Sequence, residues 1–153
     1  MKYSLSLLFC VLLVACESGG HHEISFVNNS DRDIYVDWSD VYPDTTRAQW
    51  YLMVLNAESY KILSHNTSTK ALSVDKDSWE NTFRQGIPSD TVMVFIYDAN
   101  LLEAHQGHSG RLYDFVIQRY DLSFQDIESL NWTLTYPPSS KMSKMKMYPP
   151  YGK

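Results

Sequence analysis

His105-Gln106-Gly107-His108 sets two imidazoles three residues apart in a glycine-containing stretch, a pair that suits a transition metal. A zinc or copper site needs three or four converging ligands, usually with their orientation fixed by further hydrogen bonds. The spacing supplies no third ligand, so His105 and His108 read as a weak metal pair in a solvated loop, and no cofactor is expected. His21-His22 forms a second cluster. Asp31, Asp33, Asp37, Asp40 and Asp44 gather near the N-terminal third. A hard cation such as Ca²⁺ wants six or more oxygens at one point, and the turn glycine of a calcium loop is absent. These aspartates read as turn-forming and solubilising. Neither Gly-x-Ser-x-Gly nor His-Glu-x-x-His occurs, so no catalytic residue is assigned. A hydrolase would need His105 or His108 beside a serine and a carboxylate.

Aromatic residues are the other group with binding chemistry. The chain has four Trp and 11 Tyr. Exposed rings stack on sugar faces and anchor protein interfaces, whereas buried ones fill a small core. Trp38, Trp50 and Tyr42 are the possible ligand-contact aromatics. Trp79 and Trp132 read as structural.

Cys16 is the residue whose chemistry the sequence marks most clearly. One Lys follows the initiator Met, and an uncharged apolar run extends from Leu5 to Ala15. A membrane span needs about 20 apolar residues, so this run reads as a cleaved signal. Leu13-Val14-Ala15-Cys16 resembles the lipobox of bacterial lipoproteins. That resemblance implies a diacylglyceryl group on the Cys16 thiol, cleavage before it and acylation of the new amine. Each buried methylene contributes about 0.8 kcal/mol, and two or more chains give stable attachment. Cys10 is the one other cysteine and lies inside the segment to be removed. The mature chain would therefore have no intramolecular disulfide and no cysteine nucleophile.

Charge narrows the partners. Residues 17–140 hold all 18 acidic residues against 8 of the 13 Lys and Arg. Lys141, Lys144, Lys146 and Lys153 form an acid-free basic tail. An acidic body repels phosphate backbones, which argues against nucleic acid. The tail reads as a solvated end or a strap on its own acidic body; a contact to an acidic partner is the sharper alternative.

The elements around these residues are short. Residues 1–15 are the signal peptide, 16–22 a tether, 23–136 one β-sandwich domain and 137–153 a Pro/Lys/Met-rich strap. Glu23–Val27 and Asp33–Trp38 alternate polar and apolar residues across an Asn-Asn-Ser-Asp turn, which predicts a hairpin. Gln49–Leu55 fits helix or strand, and Ser59–Leu63 a strand. Asp77 with Glu80 three residues on predicts a short helix, and Ser123 with Asp126 another that ends near Leu130. Thr91–Tyr97 is nearly all β-branched, apolar or aromatic and predicts a central strand buried on both faces. Leu112–Tyr120 predicts a strand with Tyr113, Phe115, Ile117 and Arg119 on one face. Asn131–Tyr136 predicts the last strand, with an extended or single-turn tail beyond Pro137. The expected fold is mainly β: an antiparallel β-sandwich, immunoglobulin-like or similar, with one or two short helices.

Phe26-Val27-Asn28-Asn29-Ser30 with Asp33-Ile34-Tyr35-Val36 resembles the opening of small Bacteroidota lipoproteins. Tyr42-Pro43-Asp44-Thr45 and Ser78-Trp79-Glu80 are similar too. So are Arg119-Tyr120-Asp121-Leu122-Ser123, Leu130 to Pro138, and Met145 to Gly152. The resemblance implies a lipobox followed by one β-rich domain and no particular activity. Some surface lipoproteins of that group carry an acidic run after the cysteine. Here only Glu17 is acidic before Gly19, which favours the periplasmic face of the outer membrane. The expectation is a lipid-anchored envelope protein with a binding or structural accessory role and no catalysis. Its partners would be the membrane through Cys16 and an envelope protein or a glycan. The alternative is a carbohydrate-binding surface lipoprotein of a glycan-uptake system.

Overall fold

A computed structural model describes residues 19–46, 57–104 and 112–153. Cys16, the Gln49–Leu55 stretch with Trp50, and the stretch holding His105 and His108 lie outside them. The chain is mainly β, and the described residues form two sheets with three short α-helices. The strands are β1 (Ser25–Asn28), β2 (Ile34–Ser39), β3 (Lys61–Ile62), β4 (Thr67–Ser68), β5 (Val92–Asp98), β6 (Val116–Leu122), β7 (Thr133–Tyr136) and β8 (Lys146–Tyr148). The helices are α1 (Trp79–Gly86), α2 (Ala99–Ala104) and α3 (Phe124–Ser129). The smaller sheet has the order β4-β1-β7 and the larger one β3-β2-β5-β6-β8. Pairing is antiparallel except between β1 and β7, which run parallel.

The main core lies between the sheets. Phe26 and Leu134 come from the smaller sheet and Ile24 from just before it; Val36, Val94, Ile96, Tyr120, Leu122 and Met147 come from the larger. α1 adds Trp79 and Phe83. Strand alternation sends the intervening residues of the larger sheet to its outer face. There Tyr35, Met93, Phe95 and Tyr97 pack against Ala99 and Leu102 of α2 and against Leu112. β5 is thus buried at every position, as its composition predicts.

The expected hairpin does not form. β1 and β2 belong to different sheets, because both edges of β1 are occupied by β4 and β7. Asn28 holds the crossing between the sheets. It is fully buried, its amide reaches the Arg32, Ile62 and Leu63 carbonyls at 2.8–3.2 Å, and its Oδ1 accepts from Ser30 N. Leu112–Phe115 is a 3₁₀ turn, so β6 starts only at Val116 and runs on to Leu122. Ala57–Tyr60 is likewise 3₁₀, which leaves only Lys61 and Ile62 to pair. The α1 cap is Ser78 in place of Asp77: Ser78 Oγ accepts from Asn81 N at 3.3 Å. Asp77 supports it from outside, accepting from Ser78 N and the Asn81 amide. The α3 capping box forms as expected, with Asp126 N donating to Ser123 Oγ and Ser123 N donating to Asp126 Oδ2. After α3, Asn131 and Trp132 have φ of 52° and 57°, so β7 begins at Thr133.

Two terminal segments are built into the fold. The tail makes a 3₁₀ turn at Ser140–Met142 and then adds β8 to the edge of β6. Met142 and Met147 are buried in the main core, which ties the tail down. The segment Gly20–His22, expected as part of a tether, is seated on the body. Trp79 N donates to His21 O at 2.7 Å and Val74 N to His22 O at 2.9 Å.

Candidate functional site: the outer face of the larger sheet

Register sets the site. Asp37, Phe95, Arg119 and Tyr148 occupy one row across β2, β5, β6 and β8. Ser39, Met93, Asp121 and Lys146 occupy the next. Residues two apart share a face, so Arg119 and Asp121 stand side by side on β6 and Lys146 and Tyr148 on β8.

The Asp121 carboxylate is fully shielded from solvent and anchors the cluster. Arg119 meets it with two nitrogens: Nε lies 2.8 Å from Oδ1, and an NH2 hydrogen goes to Oδ2 at 3.1 Å. The contact to Oδ2 is a hydrogen bond, while Nε and Oδ1 attract as close charges without hydrogen-bond alignment. Arg119 also donates to Tyr113 Oη at 2.8 Å, and its guanidinium lies 4.3 Å from the centre of the Tyr148 ring. Lys146 Nζ lies 3.5 Å from Asp121 Oδ2 and donates to Tyr42 Oη at 2.5 Å. It also stands 4.8 Å from the Tyr42 ring centre. The hydrogen bond to Tyr42 and the neighbouring Tyr148 and Asp121 hold the Lys146 ammonium above its ordinary pKa. Two cations therefore stand over one buried carboxylate between Tyr rings, and the rim stays open: Tyr148 is 45 % exposed.

Deeper on the same face sits a second carboxyl. Asp37 is 2 % exposed, and its Oδ1 accepts from Trp38 N at 2.8 Å. Its Oδ2 has no hydrogen-bond partner among the described residues, nor does the buried hydroxyl of Tyr97. Burial pushes the Asp37 carboxyl up to about 7, so it is half-protonated near neutral pH. Burial and then the charge of Asp37 push the Tyr97 phenol well above its usual range. At the far side of the face, Glu103 accepts from Tyr35 Oη at 2.9 Å and from Lys61 Nζ at 2.7 Å. Burial and this bond raise Tyr35 to about 12.

The candidate residues separate. Tyr42 joins the cluster. Trp38 faces the other way, half-buried against the main core with its ring 4.8 Å from that of Trp79, so it forms no exposed pair with Tyr42. Trp79 is buried, and Trp132 stacks on His21 at 4.0 Å. His65 pairs with Asp31 at 2.9 Å. The five N-terminal aspartates disperse: Asp33 accepts from Ser64 N, Asp44 from Thr46 N, Asp40 is exposed and Asp37 is buried. Among the described residues, no group of three or more His, Cys, Asp or Glu could hold a metal ion.

The sequence reading missed Arg119, Asp121 and Lys146 as a unit. Arg-x-Asp at alternate positions in a strand does signal a shared face. The pairing of β8 with β6, which brings Lys146 to it, has no local signature. Comparison with family models, with curated proteins and with solved structures returned no match.

Proposed function

We propose that this protein is a lipid-anchored component of a bacterial cell envelope that acts by binding a partner, without catalysis. Cys16 is the attachment point, and the periplasmic face of the outer membrane is the favoured location. The observation that carries the binding role is the outer-face cluster. Arg119 and Lys146 are held in place by Asp121, Tyr42, Tyr113 and Tyr148 before any partner arrives, so little side-chain entropy remains to be lost on contact. Arg and Tyr are the residue types that dominate interface energetics. The partner we favour is another envelope protein that presents acceptor groups to this rim.

The test is a pull-down of the lipidated protein from envelope extract, read by mass spectrometry. The unmodified chain should recover a defined partner, and a Tyr148→Ala/Lys146→Ala double variant should lose it while retaining its fold. Recovery of nothing above background, or equal recovery by both, would count against the proposal. Glycan binding is the second reading, favoured by the exposed Tyr148 and Tyr151 rings. It predicts retardation on a polysaccharide affinity gel that Tyr148→Ala abolishes.

A further inference from the structure

Gly20, His21 and His22, a few residues behind Cys16, are firmly seated on the domain. Gly20 lies where a Cβ would come within 2.2 Å of Ser78 Cβ, so the seat admits glycine and no larger residue without a shift. His21 N donates to Glu80 Oε2 at 2.9 Å, and His21 Nδ1 lies 2.6 Å from Glu80 Oε1. The His21 ring stacks on Trp132, 4.0 Å between centres and 12° between planes. Trp132 is itself held at φ 57°, a conformation that bulky side chains seldom adopt and that persists only where surroundings enforce it. Ile24 N continues the attachment by donating to Leu72 O at 2.9 Å.

From Gly20 back to Cys16 there are four Cα steps, a reach of at most about 14 Å. An acylated Cys16 lies at the lipid surface. We therefore propose that the end of the sandwich built from Gly20, His21, Glu80 and Trp132 faces the lipid headgroups; this rests on the lipid-anchor reading above. β1 and β7 run parallel away from that end, so β1 alone carries the chain roughly 10 Å outward. The far end holds the crossing at Asn28 and the exposed Asp31 and His65. Asp75, Asp77, Glu80 and Glu128 lie in the elements that form or adjoin the seat and outnumber Lys76 and Arg84 there, so headgroup attraction does not set this orientation. The short seated link does, and the orientation holds on neutral and anionic lipid alike.

The test uses the mature lipidated chain in vesicles, where an engineered cysteine is the only free thiol. A dye is placed at Glu128→Cys, on α3 beside Trp132, or at Asp31→Cys at the far end, and quenched by a headgroup-linked quencher. Vesicles of zwitterionic lipid, with and without an anionic component, are compared. The Glu128 site should be quenched severalfold more than the Asp31 site in both. Inserting about 20 Gly/Ser residues between Ser18 and Gly19, with a mean span of roughly 25 Å, should abolish the difference and leave the fold intact. Gly20→Val should reduce it by opening the seat. Equal quenching at native link length, or stronger quenching at Asp31, overturns the orientation. Failure of the unlabelled protein to float with the vesicles overturns the lipid anchor instead, so the two failures are distinct.

Discussion

Asp37 is the residue at which fold and chemistry conflict most. Its carboxyl sits near 7 in the native state against 3.8 for a free side chain. Below pH 4 both states are protonated and there is no penalty. Between pH 4 and 7 the unfolded chain ionises and the native one does not, so stability falls as pH rises. Above 7 the loss is constant at about 4 kcal/mol. Asp37→Asn should therefore raise the Tm at pH 8, by the equivalent of about 1–3 kcal/mol once the amide's unmet hydrogen bonds are counted. It should lower the Tm at pH 4, where the amide's unmet hydrogen bonds remain and no ionisation penalty offsets them, and thermal melts at both pH values decide it: a change of the same sign and size at both would contradict the account. Arg119 poses the opposite case. Arg119→Met strands the buried Asp121 beside the more distant Lys146 and should cost about 3–5 kcal/mol in urea unfolding. Adding Asp121→Leu should restore most of that, since the charge left without its partner causes the loss. Neither behaviour was legible in the sequence, where Asp37 is one of five aspartates and looks like a turn former. Its burial follows from a strand whose outer face is covered, which depends on α2 and Leu112 and not on its neighbours in the chain.

At the scale of elements, local signals were read best where the chemistry closes within four residues. The Ser123–Asp126 capping box is such a case, satisfying two backbone donors reciprocally. Ser123→Ala should lower stability by about 1 kcal/mol. Ser78→Ala should cost less through capping, because that cap accepts one long bond of 3.3 Å and has no reciprocal partner; equilibrium unfolding of the two variants gives the comparison. β5 was equally legible, since a run of apolar and β-branched residues can only be buried on both faces. The hairpin failed because a turn sequence specifies a reversal and not which strands flank it. β1 gains two partners, β4 and β7, that are remote in sequence, and the Asn28 side chain replaces the hairpin's own hydrogen bonds. The seat at Gly20 was also hidden. Gly-Gly-His-His reads as a flexible linker until Glu80 and Trp132 are brought beside it.

The described residues form a two-layer β domain in which the Gly20–His22 segment and the C-terminal tail are structural parts. The basic tail completes the larger sheet and lodges Lys146 over Asp121, so one of its four lysines makes an internal contact to the acidic body. Gly20–His22 is held against α1 and Trp132. Among the described residues no helix is long and apolar enough to cross a membrane; the proposed attachment is through Cys16. Fold class followed from strand patterning and the frequency of turn clusters, while the binding face required the pairing of β6 with β8. The attachment is the claim on which both the binding role and the orientation depend. Its most direct test is fractionation of envelopes from cells that express the unmodified chain or Cys16→Ser. The account predicts the unmodified protein in the membrane pellet and the variant in the soluble fraction; a variant that stays with the membranes would contradict it.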